Sequence, residues 1–282
     1  MGNQLKTILL LGVLTAILVW LGSLWGRNVA IIMLVVASVL SLFAYWRGDK
    51  VALGMCRAKA VSPGEAPVLC RAVKDLAMLD NIPTPKVYIY QSDNPNAFAT
   101  GRDVNHASVA VSTGILDILS EQELKGVLAH ELSHIKDRDI LIATCAATLA
   151  LAITLLAHMI RWAAIFGGGG RDRQGTALSL IAMLAMAILA PFAAALVQMA
   201  VSRAREYQAD YAGAKLSGNP MFLANALRKL ETAGKRSPMR NANPATSHLF
   251  IVNPFSARGI SSLFSTHPPI EERIARLEKM IM

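Results

Sequence analysis

Four long uncharged stretches divide this chain into alternating apolar and polar parts. Thr7–Gly26 runs for twenty residues, Asn28–Trp46 for nineteen, Ile140–Ile160 for twenty-one, and Gln174–Ser202 for twenty-nine with Pro191 inside it. An α-helix rises about 1.5 Å per residue, so about 20 residues cross the hydrocarbon core of a bilayer. Each stretch is long enough. They explain why 54% of the 282 residues are hydrophobic, more than a soluble domain usually carries. The first pair reads as a transmembrane hairpin over 1–46. Only Arg27 separates its two runs, and no small-residue cleavage site marks the first as a signal peptide. The second pair, over 140–202, is Ala-rich and contains His158, Pro191 and Gln198. That composition suits a second membrane hairpin and also a helical pair packed inside a domain.

The charge balance and the cysteines narrow the class further. The net charge is +9, but the basic residues crowd the ends of the apolar stretches. Lys6, Arg47, Lys50, Arg57, Lys59, Lys136, Arg138, Arg203 and Arg205 sit where anionic lipid headgroups would meet them. A lipid bilayer is therefore the expected partner, and no nucleic acid is. Cys56, Cys70 and Cys145 are scattered, with no C-x-x-C, which suits a reducing compartment and no disulfide framework.

The polar remainder, 47–139 and 203–282, holds about 170 residues, enough for one domain with its own core. "APVLCRAVKDLAMLDN" has helical spacing with Pro67 near its start. "KVYIY" reads as a strand, and "NAFATG" and "ASVAVSTGIL" flank a turn and also read as strands. Ser120 and Glu123 form a capping box, so a helix is predicted from about Glu121. "SRAREYQADYAGAKL" reads as a helix, and Asn219-Pro220 opens another. "HLFIV" is a candidate strand. The C-terminal segment is an amphipathic helix with Ile270, Ile274, Leu277 and Ile281 on one face.

On the capped helix lies "AHELSH" (Ala129–His134). Histidines four apart leave the same helix face, so His130 and His134 can meet one zinc ion at about 2.1 Å. Glu131 is turned about 100° from His130, beside the ion rather than on it. From there it can accept a proton from the attacking water. A catalytic zinc needs a third protein ligand and an open position. The extended pattern with a third histidine fails, because Asp137 and Ile140 stand in the required places. Glu206 in "SRAREYQAD" is the best candidate. Asp210 shares its helix face at i+4, and two carboxylates so placed repel unless a cation relieves them. Glu206 as ligand then leaves Asp210 to accept the other N–H of a ligating histidine. His267 in "THPP" is either an oxyanion stabiliser or a plain helix-entry residue.

With these motifs in order, the chain resembles the HtpX family of membrane-embedded zinc metalloproteases. The resemblance rests on the N-terminal apolar pair, "NAFATG", "AHELSHIKDRD", "SRAREYQAD" and "STHPPIEERI". It implies an α-helical membrane protein with a mixed α+β, thermolysin-like zinc-peptidase domain. That domain would be split into 47–139 and 203–282 by the hairpin 140–202. It implies one Zn2+ per subunit on His130, His134 and Glu206, with Glu131 as general base. It further implies an edge strand at Asn96, Ala97, Phe98 and Ala99 on which extended substrate pairs. The expected substrates are misfolded membrane proteins and unfolded polypeptides, in protein quality control under stress. The expected location is the bacterial inner membrane, with the domain facing the cytoplasm.

The rival reading is a non-catalytic scaffold that keeps a metal for structure. Structural zinc is usually closed by four protein ligands, and no fourth is evident in the sequence. Topology is consistent with the enzyme. His134 and Glu206 must reach one ion, and the 71 residues between them, 135–205, hold two apolar runs. An even number of crossings returns the chain to its starting side.

Overall fold

The computed structural model of the chain describes residues 26–146, 203–236 and 268–280, together with Ile251 and isolated positions within 5–23 and at 148–149. His158, His267, the stretch Gln174–Ser202 and most of the candidate strand "HLFIV" lie outside the described residues.

Helix α1 (Arg27–Met55) is 29 residues long and apolar enough to cross a membrane. It does not end with the apolar run at Trp46. It continues nine residues further, and there Gly48, Ala52 and Leu53 are buried, as Ala44 is just before Trp46. Along the apolar part, large side chains such as Val39, Leu42 and Phe43 face outward. Gly48 meets Thr144 and Thr148. A Cβ there would lie 2.7 Å from Thr144 Cγ2 and 2.9 Å from Thr148 Oγ1, so only glycine allows this approach.

Among the described residues a four-stranded sheet follows, ordered β1-β2-β4-β3. Strand β1 (Lys59–Ala60) pairs antiparallel with β2 (Lys86–Tyr90). Strand β2 runs parallel to β4 (Ala107–Ser112), and β3 (Ala97–Gly101) closes the edge antiparallel to β4. Helix α2 (Pro67–Leu79) carries Pro67 at its first turn and buries Leu69, Val73, Leu76 and Ala77 at helical spacing.

The sheet is covered on both faces, so its strands read as apolar runs rather than alternating ones. Ala97, Ala99, Val109 and Val111 pack into the main core, while Phe98, Ala110 and Tyr90 turn the other way onto Ala52 and Leu53 of α1. The strand expected over "ASVAVSTGIL" ends at Ser112; "TGIL" instead opens a short helix, α3 (Thr113–Ile118), because Ser112 Oγ caps it by accepting the Ile115 N–H at 3.1 Å, and α3 leads into α4 (Glu121–Lys136). The capping box is present: Ser120 Oγ accepts the Glu123 N–H at 3.3 Å, and Glu123 Oε2 accepts the Ser120 N–H at 2.8 Å. Such a cap contributes about 1 kcal/mol.

Helix α4 is buried nearly all round, through Leu124, Val127, Leu128, Leu132 and Ile135. Truncating Leu128 or Leu132 to Ala would cost about 2–5 kcal/mol. Among the described residues three further helices follow: α5 (Arg203–Ser217), α6 (Pro220–Arg236) and α7 (Ile270–Glu278). Asn219 caps α6, its Oδ1 accepting the Met221 N–H at 2.8 Å. Helix α5 lies close against α4. At Gly213 a Cβ would be 2.8 Å from the backbone N of His130. This approach brings a carboxylate from α5 within reach of the α4 histidines.

Candidate metal centre

Among the described residues, one group of metal-ligand type stands out: His130, His134 and Glu206, whose donor atoms lie within 4.8 Å of one another. The two Nε2 atoms are 3.3 Å apart. Glu206 Oε1 is 3.5 Å from His134 Nε2, and Oε2 is 3.8 Å from His130 Nε2. Donors about 2.1 Å from a tetrahedral ion stand about 3.4 Å from each other. Two imidazole nitrogens and one carboxylate at these spacings fit a catalytic zinc set.

The rear atoms of both rings are also engaged. His130 Nδ1 lies 3.0 Å from Asp210 Oδ1, although its N–H is not aligned for a full hydrogen bond. His134 Nδ1 lies 3.3 Å from Asp139 Oδ2, and Asp139 Oδ1 in turn accepts from Arg205 Nη1 at 3.2 Å. Carboxylates behind ligating histidines fix ring orientation and tautomer. The chain places Asp139 there by a sharp turn after α4, where Arg138 adopts φ +59°.

Glu131 sits beside the group, buried, with Oε2 accepting the backbone N–H of Ala99 at 2.9 Å. Burial pushes its carboxyl up. The charges of His130 and His134 oppose this, Glu206 adds to it, and the net shift is upward. Asp210 goes the other way. Burial alone would raise it, but the Arg273 charge, the close contact of His130 and the Arg273 hydrogen bonds hold it well below the usual carboxylate range.

Arg273 was not identified among the site residues in the sequence. It is fully buried, and it grips Asp210 with two hydrogen bonds, Nη2 to Oδ1 at 2.7 Å and Nε to Oδ2 at 2.9 Å. Its Nη1 is 3.8 Å from Glu206 Oε2. Helix α7 thus adds a buried cation against both carboxylates of α5. The signal was present: Arg273 lies at i+3 from Ile270 and i−4 from Leu277, on the apolar face of its helix. Asp139 was equally unremarked, because its partner lies across a turn.

Of the expected substrate strand, Ala97, Phe98 and Ala99 do lie in the edge strand β3. Asn96 precedes it and acts as a clamp. Its N–H donates to Ser112 Oγ, its Nδ2 to Tyr90 OH, and its Oδ1 accepts the Ile251 N–H at 3.0 Å.

Residues 63–281 match the profile of peptidase family M48. A curated relative from Syntrophotalea carbinolica, named Protease HtpX homolog, is 54% identical over 281 residues, covering 99% of each chain. The chain belongs to peptidase family M48, among the HtpX proteases. It is a metalloprotease. A second relative of the same name, from Desulfatibacillum aliphaticivorans, is 52% identical over 278 residues, covering 98% of this chain and 89% of its own. The fold resembles the crystal structure of S. mikatae Ste24p, with a TM-score of 0.54 and 21% identity, over 98% of this chain. The chain spans 65% of that larger protein.

Proposed function

We propose that this M48 protease is a membrane-bound zinc endopeptidase that hydrolyses misfolded or damaged membrane proteins. The observation that carries the zinc reading is the triangle of His130 Nε2, His134 Nε2 and Glu206 at 3.3, 3.5 and 3.8 Å. These three residues would hold one Zn2+ per subunit. The ion, when bound, polarises the scissile carbonyl and acidifies a water. Asp210 and Asp139 keep the two imidazoles turned toward it. Glu131, its carboxyl raised by burial, accepts the proton of the attacking water and returns it to the leaving amine. Strand β3, at the sheet edge, offers its backbone to an extended substrate. His267 remains a candidate oxyanion stabiliser.

The membrane reading is supported by α1, 29 residues long and apolar enough to span. The four-span topology, the inner-membrane location and the cytoplasmic domain rest on the apolar stretches and the distribution of basic residues. The quality-control and stress assignment rests on kinship with HtpX proteases. Casein cleavage by the purified protein tests the core of the reading. Cleavage should stop on zinc chelation and return on adding zinc; cleavage that survives chelation would refute it and leave the site structural.

A further inference from the structure

A second site lies on the opposite face of the sheet. A cavity of about 480 Å³ opens where α1 leaves its apolar run. Its walls include Tyr45, Trp46, Arg47 and Lys50 from α1, Lys86 from the start of β2, and Arg102 just past β3. Among the described lining residues the arginines and lysines number four, against one carboxylate, Asp49. Leu53 and Tyr88, also in its wall, belong to the α1 side of the sheet rather than the α4 side. The cavity is therefore separate from the metal centre.

Its level relative to a bilayer follows from α1. Val39, Leu42 and Phe43 present apolar side chains outward, Tyr45 and Trp46 follow, and Arg47 begins the polar part. Tyrosine and tryptophan mark the depth of lipid headgroups. Arg102 stacks on Trp46, with its guanidinium carbon 4.5 Å from the ring centroid. Stacking occupies the faces of a guanidinium and leaves its N–H donors in plane, the geometry that binds phosphate oxygens. One acid partly balances it, Asp103 Oδ2 at 3.4 Å from Arg102 Nε.

We propose that this cavity binds a phosphate group at headgroup depth, supplied in the bilayer by an anionic phospholipid. Arg102, Lys50 and Lys86 provide the charge and Trp46 the floor. The inference rests on the reading that α1 spans a bilayer. Because Arg102 directly follows Gly101, the last residue of β3, an occupied site would anchor the end of the edge strand to the membrane surface.

Trp46 itself reports the occupant. The full chain carrying Trp20→Phe, Trp25→Phe and Trp162→Phe is placed in phosphatidylcholine nanodiscs. A small, equal fraction of brominated phosphatidylglycerol or brominated phosphatidylcholine is then included. Brominated phosphatidylglycerol should quench Trp46 at least threefold more efficiently. Lys50→Gln with Lys86→Gln, both at exposed positions, should remove most of that preference, as should Arg102→Gln. Loss of the preference on adding inorganic phosphate would support the phosphate site and show that soluble phosphate competes for it. Persistence of the preference under added phosphate would support a site that holds the whole lipid. Equal quenching by the two lipids, or a preference untouched by all these substitutions, would overturn the site. Quenching by neither lipid would overturn the membrane placement of α1 and the site with it.

Discussion

Ala99, in the edge strand, donates its backbone N–H to Glu131 Oε2 at 2.9 Å. The strand proposed to receive substrate therefore also holds the carboxylate proposed to act on it. A substrate strand that shifts β3 would shift Glu131 as well, so binding and proton transfer share one hydrogen bond.

Glu131→Gln keeps an oxygen for Ala99 and leaves all three candidate ligands untouched. Peptide hydrolysis should fall by about 10²–10⁴, the contribution of a positioned base, while zinc content stays at the parent level. Metal analysis and casein cleavage on one preparation check both halves. Full activity, or loss of zinc, would remove Glu131 from the role of base.

Glu206→Gln should behave differently. An amide is a poorer zinc ligand than a carboxylate, so metal affinity and hydrolysis should fall together. The loss of affinity should exceed about tenfold, which is what removing even an outer partner costs. Competition with a zinc-binding dye measures it. Parent-like affinity would send the search for the third ligand elsewhere.

Arg273→Met would leave the Asp210 carboxylate buried without its cation. Removing one partner of a buried ion pair costs about 3–5 kcal/mol, read as a lower unfolding midpoint in detergent micelles. Adding Asp210→Asn to Arg273→Met should restore part of the loss. Additive losses in the double variant would mean that the two side chains do not act as a pair.

His134 supplies a pH test. Burial disfavours its charged form, but the Asp139 hydrogen bond and the charges of Glu206 and Glu131 outweigh burial and push the ring up to about 9. The metal-free protein therefore gains stability from His134 fully below about pH 6.5, the ordinary histidine value, and loses that gain as pH rises through about 9. Zinc has the opposite preference, because it needs the neutral nitrogen. Metal uptake at neutral pH should release about one proton from this ring, and affinity should rise about tenfold per pH unit until about pH 9. Calorimetry in buffers of different ionisation enthalpy counts the protons. No release would mean that His134 gives up no proton to the metal.

Topology is tested at residue 169. The cytoplasmic assignment sets Lys6, Arg47, Lys50, Arg57, Lys59, Lys136, Arg138, Arg203 and Arg205 against Arg27, Arg161, Arg171 and Arg173 on the other side. Gly169→Cys, in a variant lacking Cys56, Cys70 and Cys145, should react with an impermeant maleimide from outside the inner membrane. Labelling only after lysis would reduce the protein to two spans with an internal hairpin.

What the sequence made legible was local. The capping box at Ser120, the Asn219 cap and the four-residue spacing of His130 and His134 are each decided within one helical turn, and each can be read by counting. Strands β2, β3 and β4 were legible from their β-branched and apolar runs, but the end of β4 was not: "TGIL" continues the apolar run, and it is the Ser112 cap that turns it into helix α3. Other features needed distant partners. Arg273 meets Asp210 from 63 residues away, and Gly213 earns its place only against the backbone of His130. Hydropathy ends at Trp46, but the α1 helix runs on to Met55, because helix formation outlasts the apolar run. Strand β1, two residues long, is too short to leave a pattern.

That continuation makes α1 a ruler. Phe98 of β3 packs with Leu53 of α1, seven residues beyond Trp46, or about 10 Å along the helix axis. An extended polypeptide covers that height in about three residues. With α1 spanning the bilayer as proposed, strand β3 and the metal centre beside it would be held at a fixed stand-off from the lipid. A membrane protein would be open to cutting once a few residues of a span or loop come free of the headgroups, and a span that stays fully inserted would be out of reach.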